Sequence, residues 1–345
     1  MGQRFFYFAL VVIGGSALAQ GPFQPLPATA PAPKDNPQTP AKIILGKQLY
    51  FDARLSKDGT VSCNSCHSAM GGGTDNRRVS VGVGGKTGGR NSPTVWNSAF
   101  HSVQFWDGRA PTLEEQAKGP LTNPVEMAMP DHNAVMDRVK AIPGYVEQFK
   151  RVFGDTGGKE MTIDNLAKAI AAYERTLITP GGAFDKFLKG DKKAISTLAK
   201  KGHDLFVSTG CITCHMGPNL SGPTLPIGTG FYQKFPTFAD SPYVVKYNLA
   251  MDPGRAEATK KQEDKGMWRV PTLRNVALTA PYFHNGSVAS LDEAVRVMAS
   301  TQLNKNLKDG EVQAIVAFLE SLTGPFVDQT MPHLPPTSGK TLIAD

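Results

Sequence analysis

Two copies of one five-residue pattern constrain this 345-residue chain more than any other feature: Cys63-Asn64-Ser65-Cys66-His67 and Cys211-Ile212-Thr213-Cys214-His215. Cys-x-x-Cys-His is the attachment signature of c-type haem. Two thioethers hold the porphyrin edge, and the adjacent His is placed to ligate iron from the proximal side. The four cysteines of the two boxes are all the cysteines of the chain, so no thiol remains for a disulfide. The plainer alternatives are a structural zinc knuckle or a thioredoxin-like dithiol. Zinc would need four N/S ligands gathered together, and the boxes lie far apart in sequence. The sequence therefore predicts two covalent haem c groups, with His67 and His215 as proximal iron ligands.

The flanks of the boxes repeat too. Gly46-Lys47-Gln48-Leu49-Tyr50-Phe51 precedes the first, and Gly202-His203-Asp204-Leu205-Phe206-Val207 precedes the second. Both read Gly-x-x-Leu-aromatic at the end of an amphipathic stretch. Ala169-Ile170-Ala171-Ala172-Tyr173 and Ala314-Ile315-Val316-Ala317-Phe318 close the two halves. They sit in helical-period segments over 162–178 and 309–322, with Thr162 and Asp309 as expected N-caps. Each half thus reads helix, haem box, long insertion, helix, the plan of a cytochrome c whose first and last helices cross near the haem edge. The expected fold is mainly α: two cytochrome c-like domains in tandem, each binding one covalent haem c, with long irregular loops. The helix breakers Thr179-Pro180-Gly181-Gly182 mark the boundary. The domains are then 41–180 and 181–324.

Arg4, an apolar run from residue 5 to 13 and Ala17-Leu18-Ala19 form a secretory signal over 1–19. The run is shorter than the ~20 residues that span a bilayer, and nothing later is long and apolar enough, so no membrane span is expected in the mature form. Haem attachment is completed outside the cytoplasm in bacteria, which makes the periplasm the expected location. Residues 20–40 are rich in Pro, Ala, Thr and Gln and read as a flexible lead; 325–345 read as a Pro-rich tail. The formal charge of +7 is dispersed, without the clustered basic stripe that nucleic acid requires. It suits steering of an acidic redox partner.

The far side of each iron separates a carrier from an enzyme. In a cytochrome c plan the sixth ligand comes from the loop before the last helix, and Met298 is expected there in the second half. Its thioether would fill the coordination sphere and raise the potential. Met216, Met251, Met267 and Met331 are the competitors. In the first half the insertion carries Glu126, between Asn123-Pro124 and Met127. A carboxylate beside an open haem face can take a proton from one peroxide oxygen and deliver it to the other. An exposed Glu beside a turn is the commoner kind. Met127 and Met129 could instead ligate iron and leave a plain electron carrier.

The runs Val79-Ser80-Val81-Gly82, Asn91-Ser92-Pro93-Thr94-Val95-Trp96-Asn97, Phe105-Trp106-Asp107-Gly108-Arg109 and Asn123-Pro124-Val125-Glu126-Met127 resemble the bacterial di-haem cytochrome c peroxidases. So does the stretch from Val270-Pro271-Thr272-Leu273-Arg274-Asn275 to Tyr282-Phe283-His284-Asn285-Gly286. The resemblance, which runs from about residue 42 to 324, implies a low-potential peroxidatic haem on Cys63, Cys66 and His67. It implies a high-potential electron-transfer haem on Cys211, Cys214, His215 and Met298. Glu126 matches the family's acid–base residue, Gln116 the glutamine beside it, and Trp106 the indole between the haems. The resemblance also implies one calcium ion, held by the Asn91 side chain and the Thr279 and Pro281 carbonyls; oxygen donors suit a hard cation. Hydrogen peroxide is the implied substrate, a small soluble cytochrome c or cupredoxin the implied donor, and a homodimer a frequent state of relatives.

One position departs from that pattern. Many relatives carry a His in the loop after the Ser-x-Gly element, where it caps the peroxidatic iron until partial reduction. Here Val83 stands there, within Gly82-Val83-Gly84-Gly85, and valine cannot ligate iron. The expectation is an open haem in a loop that its glycines keep mobile, with His101 as the nearest alternative His. Two other readings are a non-enzymatic di-haem electron carrier and a related oxygenase that cross-links tryptophans. The oxygenase relatives have Tyr where this chain has Met298.

Overall fold

The computed structural model describes residues 21–337; the signal expected at 1–19 and the last residues of the tail lie outside the described residues. The chain is mainly helical. Helices α1 (Pro40–Phe51), α2 (Cys63–Cys66), α3 (Leu113–Thr122), α4 (His132–Lys140), α5 (Pro143–Phe153) and α6 (Ile163–Glu174) form the first half. The second contains α7 (Ala183–Leu188), α8 (Thr197–Thr209), α9 (Pro242–Lys246), α10 (Ala256–Thr259), α11 (Leu291–Leu303) and α12 (Asp309–Glu320). Among the described residues the only sheet is a two-stranded antiparallel ribbon, β1 (Tyr232–Lys234) on β2 (Met267–Arg269).

The duplicated motifs meet as two helix crossings. Helix α1 packs on α6, and α8 packs on α12. A Cβ at Gly46 would run into the Ala169 carbonyl, and one at Gly202 into the Ala314 carbonyl. Each glycine thus lets its helix lie directly on the first Ala of the Ala-Ile repeat. Tyr50 and Tyr173 meet edge to face beside the first crossing, at 5.2 Å, and Phe206 and Phe318 beside the second, also at 5.2 Å. Leu45 and Leu49 anchor one core and Val312 and Phe318 the other, all fully buried. Each such side chain is worth about 1.5–3 kcal/mol in apolar burial.

Three boundaries differ from expectation. Helix α6 begins after Thr162, whose hydroxyl accepts the Asn165 N–H at 3.1 Å, but it stops at Glu174 rather than 178. The next residues form tight turns, Thr176 N–H to Tyr173 O and Leu177 N–H to Glu174 O. Helix α12 ends at Glu320, not 322. Its N-cap is Lys308, not Asp309: Asp309 is the first helical residue, where an acid favours the positive helix end. It also pairs with Arg296 at 2.7 Å.

The Pro-rich lead is packed rather than free. Phe23 inserts into the second core, 5.5 Å from Phe184 and 6.3 Å from Phe318. Leu26 is buried with its N–H on Asp185 Oδ1 at 3.0 Å. Asn36, fully buried, donates to Glu114 at 2.7 Å and accepts from Lys42 at 2.9 Å. A few anchors, Phe23, Leu26 and Asn36, hold a Pro-rich stretch, and composition does not reveal that.

Candidate active site

The short helix α2 starts at Ser62, whose N–H donates to the Ser65 hydroxyl at 3.0 Å. This turn brings Cys63 and Cys66 to one side and presents His67 at its end. Tyr50, the aromatic of the repeated motif, donates its hydroxyl proton to the His67 carbonyl at 2.6 Å. The His67 ring is tied through Nδ1 to the Pro93 carbonyl at 2.8 Å. His215 repeats the arrangement, with Nδ1 3.0 Å from the Leu220 carbonyl. A carbonyl partner makes Nδ1 the protonated nitrogen and leaves Nε2 as a lone-pair donor. Burial lowers both rings' pKa values, which keeps them neutral, the form that binds a metal.

Each box opens onto a cavity. The N-terminal cavity is lined by Cys66, His67, Gln116 and Glu126; the C-terminal one by Cys211, Cys214, His215 and Met298. A cysteine pair, a tautomer-fixed histidine and an adjoining cavity are what a covalently attached haem requires, so the residues fit one haem in each cavity, the C-terminal one lined mostly by apolar side chains and the N-terminal one by more polar and charged groups.

Met298 lies on α11, not in the loop before the last helix. That loop is only Asn304 to Lys308 and contains no methionine. Residues 294–299 follow the helical period, with Ala294, Val295 and Val297 buried and Met298 turned to the cavity. Its competitors do not line that cavity, and Met251 and Met331 are strongly exposed. Met127 and Met129 are buried in the first core and do not line the N-terminal cavity.

Glu126 faces the N-terminal cavity with Oε1 held by the Asn123 amide at 2.8 Å. Burial raises its pKa, while Arg109 and the Asn123 hydrogen bond pull it back. Gln116 reaches the same cavity from α3. Arg109 is positioned by Asp107, which is buried and also pairs with Arg90 at 2.6 Å.

Trp106 lines both cavities, its indole N–H donating to the Asn91 carbonyl at 2.8 Å. His101 and Arg269 stand in the same wall, with Arg269 Nη1 2.9 Å from the His101 ring nitrogens. Arg269 is buried with no carboxylate partner at salt-bridge distance among the described residues, and burial pulls its pKa down to about 10. Asn91, Thr279 and Pro281 all line the C-terminal cavity. The Asn91 amide donates to the Arg77 carbonyl at 2.8 Å, which leaves its oxygen as an acceptor.

Val83 is buried in the first core. Its loop, expected to be mobile, is clasped onto the Glu126 segment: Val83 N–H donates to the Glu126 carbonyl at 2.9 Å. Gly82 lies so close that a Cβ there would collide with the backbone of Val125 and Glu126. Its glycines provide close approach and the positive φ of Gly84 and Gly85, 67° and 74°. Sequence reading missed Glu174, which also lines the N-terminal cavity. The available signal was a carboxylate at the end of an otherwise small and apolar helical run.

The two cavities define a c-type di-haem protein with one carboxylate-bearing side. A family model described as di-haem cytochrome c peroxidase matches residues 40–193. The chain is 44% identical to a cytochrome c551 peroxidase of Nitrosomonas europaea, over 96% of this chain and 93% of that one. It is 43% identical to a cytochrome c551 peroxidase of Pseudomonas aeruginosa, over 99% and 96%. Among solved structures, a MauG-like protein associated with microbial copper homeostasis aligns with TM-score 0.74 at 28% identity, covering 87% of this chain and 95% of that one. The chain belongs to the di-haem cytochrome c peroxidase family and is a cytochrome-c peroxidase binding two haem c groups.

Proposed function

We propose that hydrogen peroxide is reduced in the N-terminal cavity and that electrons enter through the C-terminal one. The halves 41–180 and 181–324 are the two cytochrome c-like domains. The carrying observation is that Glu126 shares a cavity with Cys66 and His67 and that burial raises its pKa, which suits a carboxyl that must both take up and return a proton. The haem irons, when bound, supply coordination of peroxide and exchange of electrons. Glu126 takes the proton from one peroxide oxygen and returns it to the departing one. Asn123 fixes one carboxylate oxygen, so the other faces substrate. Gln116 orients the peroxide oxygens, and Trp106 spans the wall through which two electrons pass. Two protons and two electrons convert one peroxide into two waters.

His67, His215 and Met298 are the iron ligands in this reading. The donor is a small cytochrome c or cupredoxin, and the chain works in the periplasm after loss of 1–19, as a homodimer. Calcium at Asn91, Thr279 and Pro281 would rest on neutral oxygens. Among the described residues, no group of three or more His, Cys, Asp or Glu side chains could hold a metal, and no helix is long and apolar enough to cross a membrane.

The test is Glu126→Gln. Peroxide turnover should fall by about 10²–10⁴-fold with haem content and spectrum retained. Full turnover in this variant would remove the acid–base role and the assignment of the cavity.

A further inference from the structure

The chemistry above accounts for one carboxyl in the N-terminal cavity, but the cavity has two. Glu174 ends α6, is only 6% exposed, and lines the same space as Glu126 and Gln116. Its Oε2 is buried with no hydrogen-bond partner among the described residues. The adjacent cation does not serve it. The Arg175 guanidinium lies 2.8 Å from Glu114 Oε1, hydrogen-bonds Oε2 at 3.2 Å, and donates through Nε to the Pro31 carbonyl. Glu114 and Arg175 therefore neutralise one another, and Glu174 stands beside a completed pair.

Position adds to this. The last turn of a helix carries its negative end, which disfavours a carboxylate there. The groups facing Glu174 are Tyr50 from α1, Cys63 from α2, Glu114 from α3, and Tyr173 and Arg175 on either side of it. Cys63 loses its proton chemistry once it is a thioether. The same cavity is also lined by Glu126, Arg109, His101 and Arg269. Arg175 and the distant cavity cations are all that favour the charged form, and burial outweighs them: the Glu174 pKa is pushed up to about 8.

We propose that Glu174 is the proton-holding carboxyl of the peroxide cavity, which yields its proton when peroxide is reduced and is reprotonated from solvent. The inference rests on the assignment of peroxide reduction to this cavity. Glu126 only shuttles a proton between the two oxygens of one peroxide. Water formation consumes two further protons, matched by the two donor electrons, and Glu174 stores one of them inside the cavity. It acts through Gln116 or water rather than by contact with peroxide, so it is a positioning and proton-supply residue.

The experiment uses the di-haem holoenzyme with Glu174→Gln, Glu174→Asp and Glu126→Gln. In the wild type, kcat should fall as pH rises through about 8, because the neutral acid is lost. Glu174→Gln should lower kcat at neutral pH roughly tenfold, leave KM for peroxide unchanged and abolish the alkaline limb; Glu174→Asp should restore it. The infrared difference spectrum between oxidised and reduced enzyme should contain the carbonyl band of a protonated carboxyl, absent in Glu174→Gln and present in Glu126→Gln. An unchanged band and pH profile in Glu174→Gln would overturn the proposal while leaving the Glu126 reading intact. Should Glu174→Gln fail to mature, the wild type decides. A midpoint potential of the N-terminal haem that does not change with pH around 8 overturns the proposal without any variant.

Discussion

His67 and His215 are held by the same hydrogen bond in different surroundings, so the difference between the haems must come from the opposite side of each. Met298 faces one cavity and Glu126 the other. Replacing Met298 with Leu keeps volume but removes the thioether. The C-terminal haem should become high-spin and its potential should fall, read by electron paramagnetic resonance and potentiometry. The reaction of the other haem with peroxide should persist. Glu126 must be ionised to accept a proton, and burial raises its pKa above the usual carboxylate value. As pH falls through that raised value, kcat/KM for peroxide should fall, and the acid limb should disappear in Glu126→Gln. With Val83 packed in the core, fully ferric enzyme and enzyme pre-reduced by one electron should turn over peroxide equally fast. Slow ferric enzyme would show that another side chain caps the iron. The haem boxes were legible because covalent attachment needs contiguous residues. Glu174 and Arg269 were not, since their meaning lies in burial and in which partners are already taken.

At the scale of elements, the crossing glycines decide whether the two halves form. Gly202 and Gly310 provide a paired test on the same two helices. At Gly202 a side chain meets the backbone of Ala314, whereas a Cβ at Gly310 meets nothing within 4 Å. Gly202→Ala should cost at least about 1–3 kcal/mol, because neither helix can give way. Gly310→Ala should be stabilising by about 0.5–1 kcal/mol. Thermal unfolding followed at the C-terminal haem band checks both. The motifs Gly-x-x-Leu-aromatic and Ala-Ile-x-Ala-aromatic predicted the paired helices, but not that glycine of one touches alanine of the other. The helical period through Met298 was equally visible, yet a general plan of ligand loops masked it. Tight turns after Glu174, rather than apolar pattern, mark where α6 stops.

At the scale of the whole molecule, the lead and the tail each pack on a distant part of the chain. The lead reaches the second core through Phe23, and the tail returns to the first half. Phe326 meets Trp96 at 4.7 Å, Gln329 accepts from Tyr173 at 2.8 Å, and the carbonyls of His333 and Pro335 accept from Gln48 and Arg54. Phe23→Ala should cost about 3–5 kcal/mol and lower the melting temperature read at the C-terminal haem. Ending the chain after Gly324 should instead weaken the N-terminal haem environment first. Composition made the lead look flexible and the tail merely Pro-rich, because a few apolar anchors do not change a Pro-rich average.

This crossing of lead and tail has a consequence for the order in which the molecule is made. Ribosomes deliver the chain from its N-terminus, yet Phe23 cannot find its socket until α12 has emerged, and the first half is not covered until the tail arrives. Contacts so distant in sequence close late. The first haem box therefore stays open to the attachment machinery until these late contacts close, and covering of the first half waits on the segment from Phe326 to Pro335.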